Sequence, residues 1–351
     1  MKSKLKILSI DGGGIRGVIP CTILKFIESQ LGGNLCETFD LIAGTSTGGI
    51  ITLGLTTQKP NDSYPYYAEE MLDLYKSNGN QIFAKRGKDV LSVLGAIFQG
   101  LPEEMTANPY DSENLEKLLD KYFKNATLSE TKTNALITTY DITEGKPFIF
   151  STRLAKNHDT EQTKENFLIR DIARSTSAAP TYFKPNLLTG KGTEDFAFVD
   201  GGVFANNPAI LAYAEAKELW KTRSTLAFDA VVTATDDDLP FYMLSIGTGT
   251  HRQRFSGQDA QKWRTAKWLQ PLLTSVFMQS VAESTHYAMQ HLLPDWTDGT
   301  PRYQRINIEI PEENTAMDDA SSDNIDTLCE IAEKYVKDNE AQLLKICELL
   351  R

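Results

Sequence analysis

Ser46 stands in Gly44-Thr45-Ser46-Thr47-Gly48, a G-x-S-x-G pattern with Leu41, Ile42 and Ala43 before it and Ile50, Ile51, Leu53 and Leu55 after it. A serine becomes a nucleophile when a sharp strand-to-helix turn exposes its hydroxyl and a base takes its proton. Asp200 is the strongest candidate for that base. It closes the apolar run Phe196-Ala197-Phe198-Val199 and precedes Gly201-Gly202, and α/β folds present reactive groups beyond the carboxyl ends of their strands. The plain alternative for each pattern is a structural turn.

A third stretch, Ile7 to Gly17, reads ILSIDGGGIRG. Gly12, Gly14 and Gly17 satisfy the G-x-G-x-x-G of a dinucleotide site, which also needs an acid at the far end of the next strand. Here Asp40 begins that strand and the serine turn occupies its end, so the cofactor reading has its acid at the wrong place. Backbone N–H groups of a glycine turn can instead hold a developing oxyanion. Gly12, Gly13 and Gly14 suit that task, joined by the N–H of Thr47. Arg16 either meets a substrate phosphate or is solvated.

A histidine base is the competing chemistry. His251, His286 and His291 all follow Asp200. His251 sits just after Ser245-Ile246-Gly247-Thr248-Gly249-Thr250, in a strand-end loop, whereas His286 and His291 lie five apart in a helical pattern. Two alternatives therefore stand beside a Ser-Asp hydrolase: a Ser-His-Asp esterase, and a nucleotide-binding module that uses GGGIRG.

These residues need a sheet with crossover helices to position them. Strands are expected at Lys4 to Ile10, Phe39 to Thr45, Ala135 to Tyr140, Pro147 to Ser151, Phe196 to Val199 and Tyr242 to Ile246. Helices are expected at Gly17 to Leu31, Thr47 to Thr57, Asn166 to Ala178 and Pro208 to Trp220, the last capped by Asn207. The order argues for an α/β fold. An insertion of helices and loops is read at about residues 61 to 130. Within it, Val90 to Leu101 is either an apolar lid or a core helix. After His251 helical patterns dominate, at Lys262 to Leu293 and at Ile325 to Leu350. The chain thus divides into a core at 1 to 250 and a mainly helical extension at 251 to 351, packed on the core or used for self-association.

The 351 residues carry 36 basic and 47 acidic side chains, a net charge of −11, which disfavours a nucleic-acid polymer as partner. The four cysteines, Cys21, Cys36, Cys329 and Cys347, lack metal-ligand spacing and read as reduced thiols. The apolar run after the first lysines stops at Asp11, too short for a signal peptide. A cytoplasmic location is expected, peripheral at a membrane.

DGGGIRG, GTSTG and DGG, in that order, resemble the patatin-like phospholipases, and SAAPTYF, VFANNP and SIGTG support the likeness over about residues 5 to 250. The resemblance implies a three-layer α/β/α fold with a mostly parallel central sheet and a lipid acyl hydrolase without cofactor or metal. It further implies Ser46 as nucleophile, Asp200 as base without histidine, and Gly12 to Gly14 as oxyanion hole. Arg16 takes the position associated with that hole and with the phosphate of a phospholipid or lysophospholipid. The chain looks most like free-standing bacterial members, some of which are activated by a cyclic nucleotide in anti-phage defence. The basic and aromatic cluster Arg252, Arg254, Lys262, Trp263, Arg264, Lys267 and Trp268 would contact such a nucleotide or a membrane, or form a solvated helix face. A homo-oligomer is also compatible.

Overall fold

The computed structural model describes residues 4–83, 110–157, 166–189, 195–226, 239–252, 254, 256–263 and 278–351. Its centre is β1 (Leu5–Ile10), a strand of aliphatic side chains buried on both faces. Parallel partners lie on either edge, β2 (Leu41–Thr45) and β7 (Phe241–Ile246), with Ile7 opposite both Leu41 and Met243. Beyond β2 comes β3 (Asn134–Asp141), also parallel, and beyond β7 comes β8 (Tyr303–Ile306). Three antiparallel strands complete a sheet of eight: β4 (Lys146–Ser151), β5 (Asn186–Thr189) and β6 (Asp195–Asp200).

The alternation of side chains along the strands builds two cores. Leu8, Ile10, Ile42, Leu244 and Ile246 face one helical layer, while Ile7, Leu41, Ala43 and Met243 face the other. The first layer holds α1 (Val18–Leu31), α2 (Thr47–Thr56), α3 (Ala68–Ile82), α4 (Ser112–Phe123) and α5 (Ile169–Thr176). The second is formed by α6 (Ala209–Leu226) and α7 (Met278–Leu292). Ala209, Ala212 and Ala216 let α6 lie close against the sheet, and the Asn207 carboxamide accepts the Ala209 N–H at 3.0 Å as the expected cap.

Two additions were not legible in the sequence. β8 pairs with β7 across the boundary drawn at residue 250, so the C-terminal hundred residues complete the sheet as well as adding helices. The expected helix from Ile325 to Leu350 is two helices, α8 (Ser322–Asp338) and α9 (Glu340–Leu350). Asn339 separates them, its carboxamide donating to the Tyr335 carbonyl at 2.9 Å, the side-chain competition that makes asparagine a poor helix interior residue. Val90 to Leu101, Arg264, Lys267 and Trp268 lie outside the described residues. Among the described residues, no helix is long and apolar enough to cross a membrane.

Candidate active site

Ser46 occupies the step from β2 into α2 with φ 56° and ψ −124°, a backbone conformation that side chains rarely adopt and that turns its hydroxyl out of the sheet. The flanking glycines are required by contact. A Cβ at Gly44 would lie 2.1 Å from the Gly48 carbonyl oxygen, and one at Gly48 would lie 2.3 Å from that of Ile10. The strained turn is held from behind. The Ser46 N–H donates to Thr176 Oγ1 at 2.9 Å, and that hydroxyl donates to the Thr138 carbonyl at 2.8 Å. Thr47 hydrogen-bonds through its hydroxyl to Tyr75 on α3.

β3 sets the approach of the base. β4 pairs along one edge of β3 from Leu136 to Asp141, which leaves β2 and β6 to share the other. β2 runs along that edge until Thr45 meets Thr138, and β6 arrives from the opposite direction until Asp200 meets Thr139. The ends of the two strands therefore converge at adjacent positions. The Asp200 carboxylate thus comes within electrostatic reach of the Ser46 hydroxyl, which favours its charged form, and Gly202 N–H donates to Asp200 Oδ1 at 2.7 Å. Burial raises the Asp200 pKa to about 7, against the smaller opposing effects of the Ser46 hydroxyl and the Gly202 N–H.

The glycine loop follows β1. Asp11 N–H donates to the Ile246 carbonyl and Gly12 N–H to the Asn206 carbonyl, each at 3.0 Å. The Gly12 amide is therefore spent, and Gly12 serves instead to let the loop approach the nucleophile: a Cβ there would lie 3.1 Å from Ser46 Cβ. The Gly12 carbonyl is pinned by Thr248 Oγ1 at 2.7 Å and by Asn206 Nδ2 at 3.4 Å. Because the peptide is planar and trans, this fixes the direction of the Gly13 N–H. Among the described residues, the Gly13 and Gly14 amides have no acceptor.

One part of the site was absent from the sequence reading. Arg305 on β8 grips Asp11 with both nitrogens, Nη2 to Oδ2 at 2.6 Å and Nη1 to Oδ1 at 3.1 Å, and also donates to Ser245 Oγ at 2.8 Å. Burial opposes the Arg305 charge, but Asp11 more than offsets it and holds the guanidinium protonated. The Arg16 side chain makes no hydrogen bond or ion pair among the described residues, and its Nε is buried. Burial lowers its pKa to about 10, leaving it cationic at neutral pH. It lines a cavity of about 480 Å³ beside the loop.

None of the three described histidines hydrogen-bonds to Ser46 or Asp200, although His251 lines the same cavity as Arg16. His251 Nδ1 lies 3.3 Å from the Ile310 carbonyl and His286 Nδ1 lies 3.2 Å from the Tyr303 hydroxyl. His291 packs on the Tyr287 ring, 4.7 Å between centroids.

Comparison with known proteins gives the family. The sequence profile of the patatin-like phospholipase family matches residues 8–213, and the chain belongs to that family. It is similar to patatin-like protein 2 of Arabidopsis thaliana, 33% identical over 350 residues that cover 94% of this chain and 82% of that protein. Patatin-like protein 2 of Oryza sativa subsp. indica is 31% identical, covering 96% of this chain and 85% of that one. A Solanum tuberosum protein named "Probable inactive patatin-3-Kuras 1" is also 31% identical, covering 94% and 86%. The solved structure of VipD from Legionella pneumophila matches at 12% identity and a TM-score of 0.38, over 94% of this chain and 67% of that one, too remote to inform the site. Membership supports lipid acyl hydrolysis as the general activity. Since one relative's name marks it as inactive, the site must carry the finer claim.

Proposed function

We propose that the chain is a serine lipid acyl hydrolase of the phospholipase A or lysophospholipase type, working through a Ser46 and Asp200 dyad. The observation that carries this reading is the convergence of β2 and β6 on adjacent positions of β3, which sets the Ser46 turn beside an aspartate whose pKa burial has lifted to about 7. An ordinary aspartate, near 3.9, is too weak a base at neutral pH, and a general base works best near the pH of operation.

Asp200 takes the hydroxyl proton as Ser46 Oγ attacks the ester carbonyl carbon. The oxygen of that carbonyl becomes an oxyanion, received by the N–H groups of Gly13, Gly14 and Thr47. Collapse breaks the bond to the alcohol, which leaves with the proton from Asp200. A water then gives its proton to Asp200 and attacks the acyl carbon, and the fatty acid departs as Ser46 regains its hydrogen. Arg16, cationic beside the loop, meets the substrate phosphate in this reading.

Release of fatty acid from phosphatidylcholine and lysophosphatidylcholine in neutral-detergent micelles tests the proposal. Wild-type protein should release it, whereas Ser46→Ala and Asp200→Asn should each lose at least a hundredfold. Undiminished release by either variant would reject the dyad. Activation by a cyclic nucleotide stays outside this reading, since Arg264, Lys267 and Trp268 of the basic cluster lie outside the described residues.

A further inference from the structure

Two residues that line the cavity beside the glycine loop also neighbour the dyad. Asn206 and Met278 line it, and a Cβ built on Gly202 would stand 3.3 Å from Met278 Cε and 3.1 Å from Asp200 Oδ1. Its volume of about 480 Å³ lies within the roughly 300–1,000 Å³ of small-molecule sites.

Its charges are unequal. Asp11, Arg16, Glu283, Glu312 and Asp318 line the cavity, and Asp11 is already neutralised by Arg305. Arg16 thus faces Glu283, Glu312 and Asp318 as one cation among carboxylates. A guanidinium with a buried, unpartnered Nε is costly unless an anion arrives to meet it. The carboxylates would repel an anion with nothing else to offer. Tyr182 stands within electrostatic reach of both Arg16 and Asp318. Its ring stacks on Tyr110 at 6.0 Å and 7°, and the Tyr110 hydroxyl donates to Asp318. An aromatic face beside a carboxylate attracts an organic ammonium.

Building on the phospholipid hydrolase reading, we propose that this cavity takes a headgroup that carries both phosphate and ammonium. The phosphate sits at Arg16 and the ammonium sits by Tyr182 and Asp318. In ethanolamine and choline headgroups two carbons separate the phosphate ester oxygen from the nitrogen, so one headgroup brings both charges into the same cavity. A glycerol headgroup offers no cation to the carboxylates.

The test compares phosphatidylethanolamine with phosphatidylglycerol of the same acyl chains, in neutral-detergent micelles, with p-nitrophenyl butyrate as an ester that has no headgroup. The expected kcat/KM ratio favours ethanolamine at least tenfold, about 1.4 kcal/mol, and Asp318→Asn should reduce that ratio at least fivefold. A ratio within one preparation is indifferent to the fraction that folds. Equal rates on the two lipids, with p-nitrophenyl butyrate turned over, would overturn the headgroup inference and leave the hydrolase reading intact. Failure to cleave any ester would reject the hydrolase reading instead. The cavity is then judged by equilibrium binding of soluble glycerophosphoethanolamine and glycerophosphoglycerol to the same protein. Tenfold tighter binding of the amine supports the site, and equal or absent binding contradicts it. Competition by the soluble amine against micellar lipid distinguishes a site for the free headgroup from one that needs the lipid.

Discussion

Asp11 and Arg305, 294 positions apart, meet as a two-pronged ion pair with both side chains 4% exposed. The pair stands at the foot of the glycine loop, so a strand from the C-terminal third holds a loop from the first dozen residues. Removing one partner of a buried pair leaves the other charge uncompensated, at a cost of about 3–5 kcal/mol. Arg305→Ala should therefore lower the denaturation midpoint by that equivalent. Asp11→Leu combined with Arg305→Met should recover most of the loss, because no buried charge remains. Urea unfolding of the three proteins checks this.

Asp200 should cost the protein stability at high pH. Its folded pKa of about 7 lies above the ordinary aspartate value of 3.8. Between those values the folded state therefore holds a proton that the unfolded state has released, and stability falls as pH rises. At about 1.4 kcal/mol per pKa unit the loss above pH 7 is at most about 4 kcal/mol. Asp200→Asn should be more stable than wild type at pH 8 and about equal at pH 4. In the wild type, kcat/KM should rise through pH 7 and level off as the base deprotonates. Thermal unfolding at the two pH values and a pH-rate profile read both.

Thr248 positions an amide. Its hydroxyl holds the Gly12 carbonyl at 2.7 Å and thereby the direction of the Gly13 N–H. Thr248→Val keeps the shape and removes that hydrogen bond. The expected result is a kcat reduced about tenfold, less than the 10² to 10³ seen when an oxyanion donor is lost outright, with KM changed less than twofold. Steady-state kinetics on p-nitrophenyl butyrate separates the two parameters.

The parts of the site that were legible in the sequence are local. Ser46 and Asp200 each end an apolar strand beside glycines, and backbone geometry alone demands that composition. Gly12 to Gly14 were legible as a glycine turn, but their division of labour was not, because the Asn206 carbonyl that takes the Gly12 N–H comes from 194 residues downstream. β8 is four residues, Tyr-Gln-Arg-Ile, with its two middle side chains half-buried, too short to announce itself without its neighbour β7. Arg305 was hidden for the same reason. Tyr75, which supports Thr47, lies on a helix whose pattern shows burial without showing what it packs against.

The dyad is tested most directly by the rate at which a fluorophosphonate probe bonds to Ser46, followed by intact-mass and peptide analysis across pH 5 to 9. The predicted result is one adduct, on Ser46, formed at a rate that climbs through about pH 7 in the wild type and falls at least a hundredfold in Asp200→Asn. An adduct formed equally fast without Asp200, or none on Ser46 in folded protein, would contradict it.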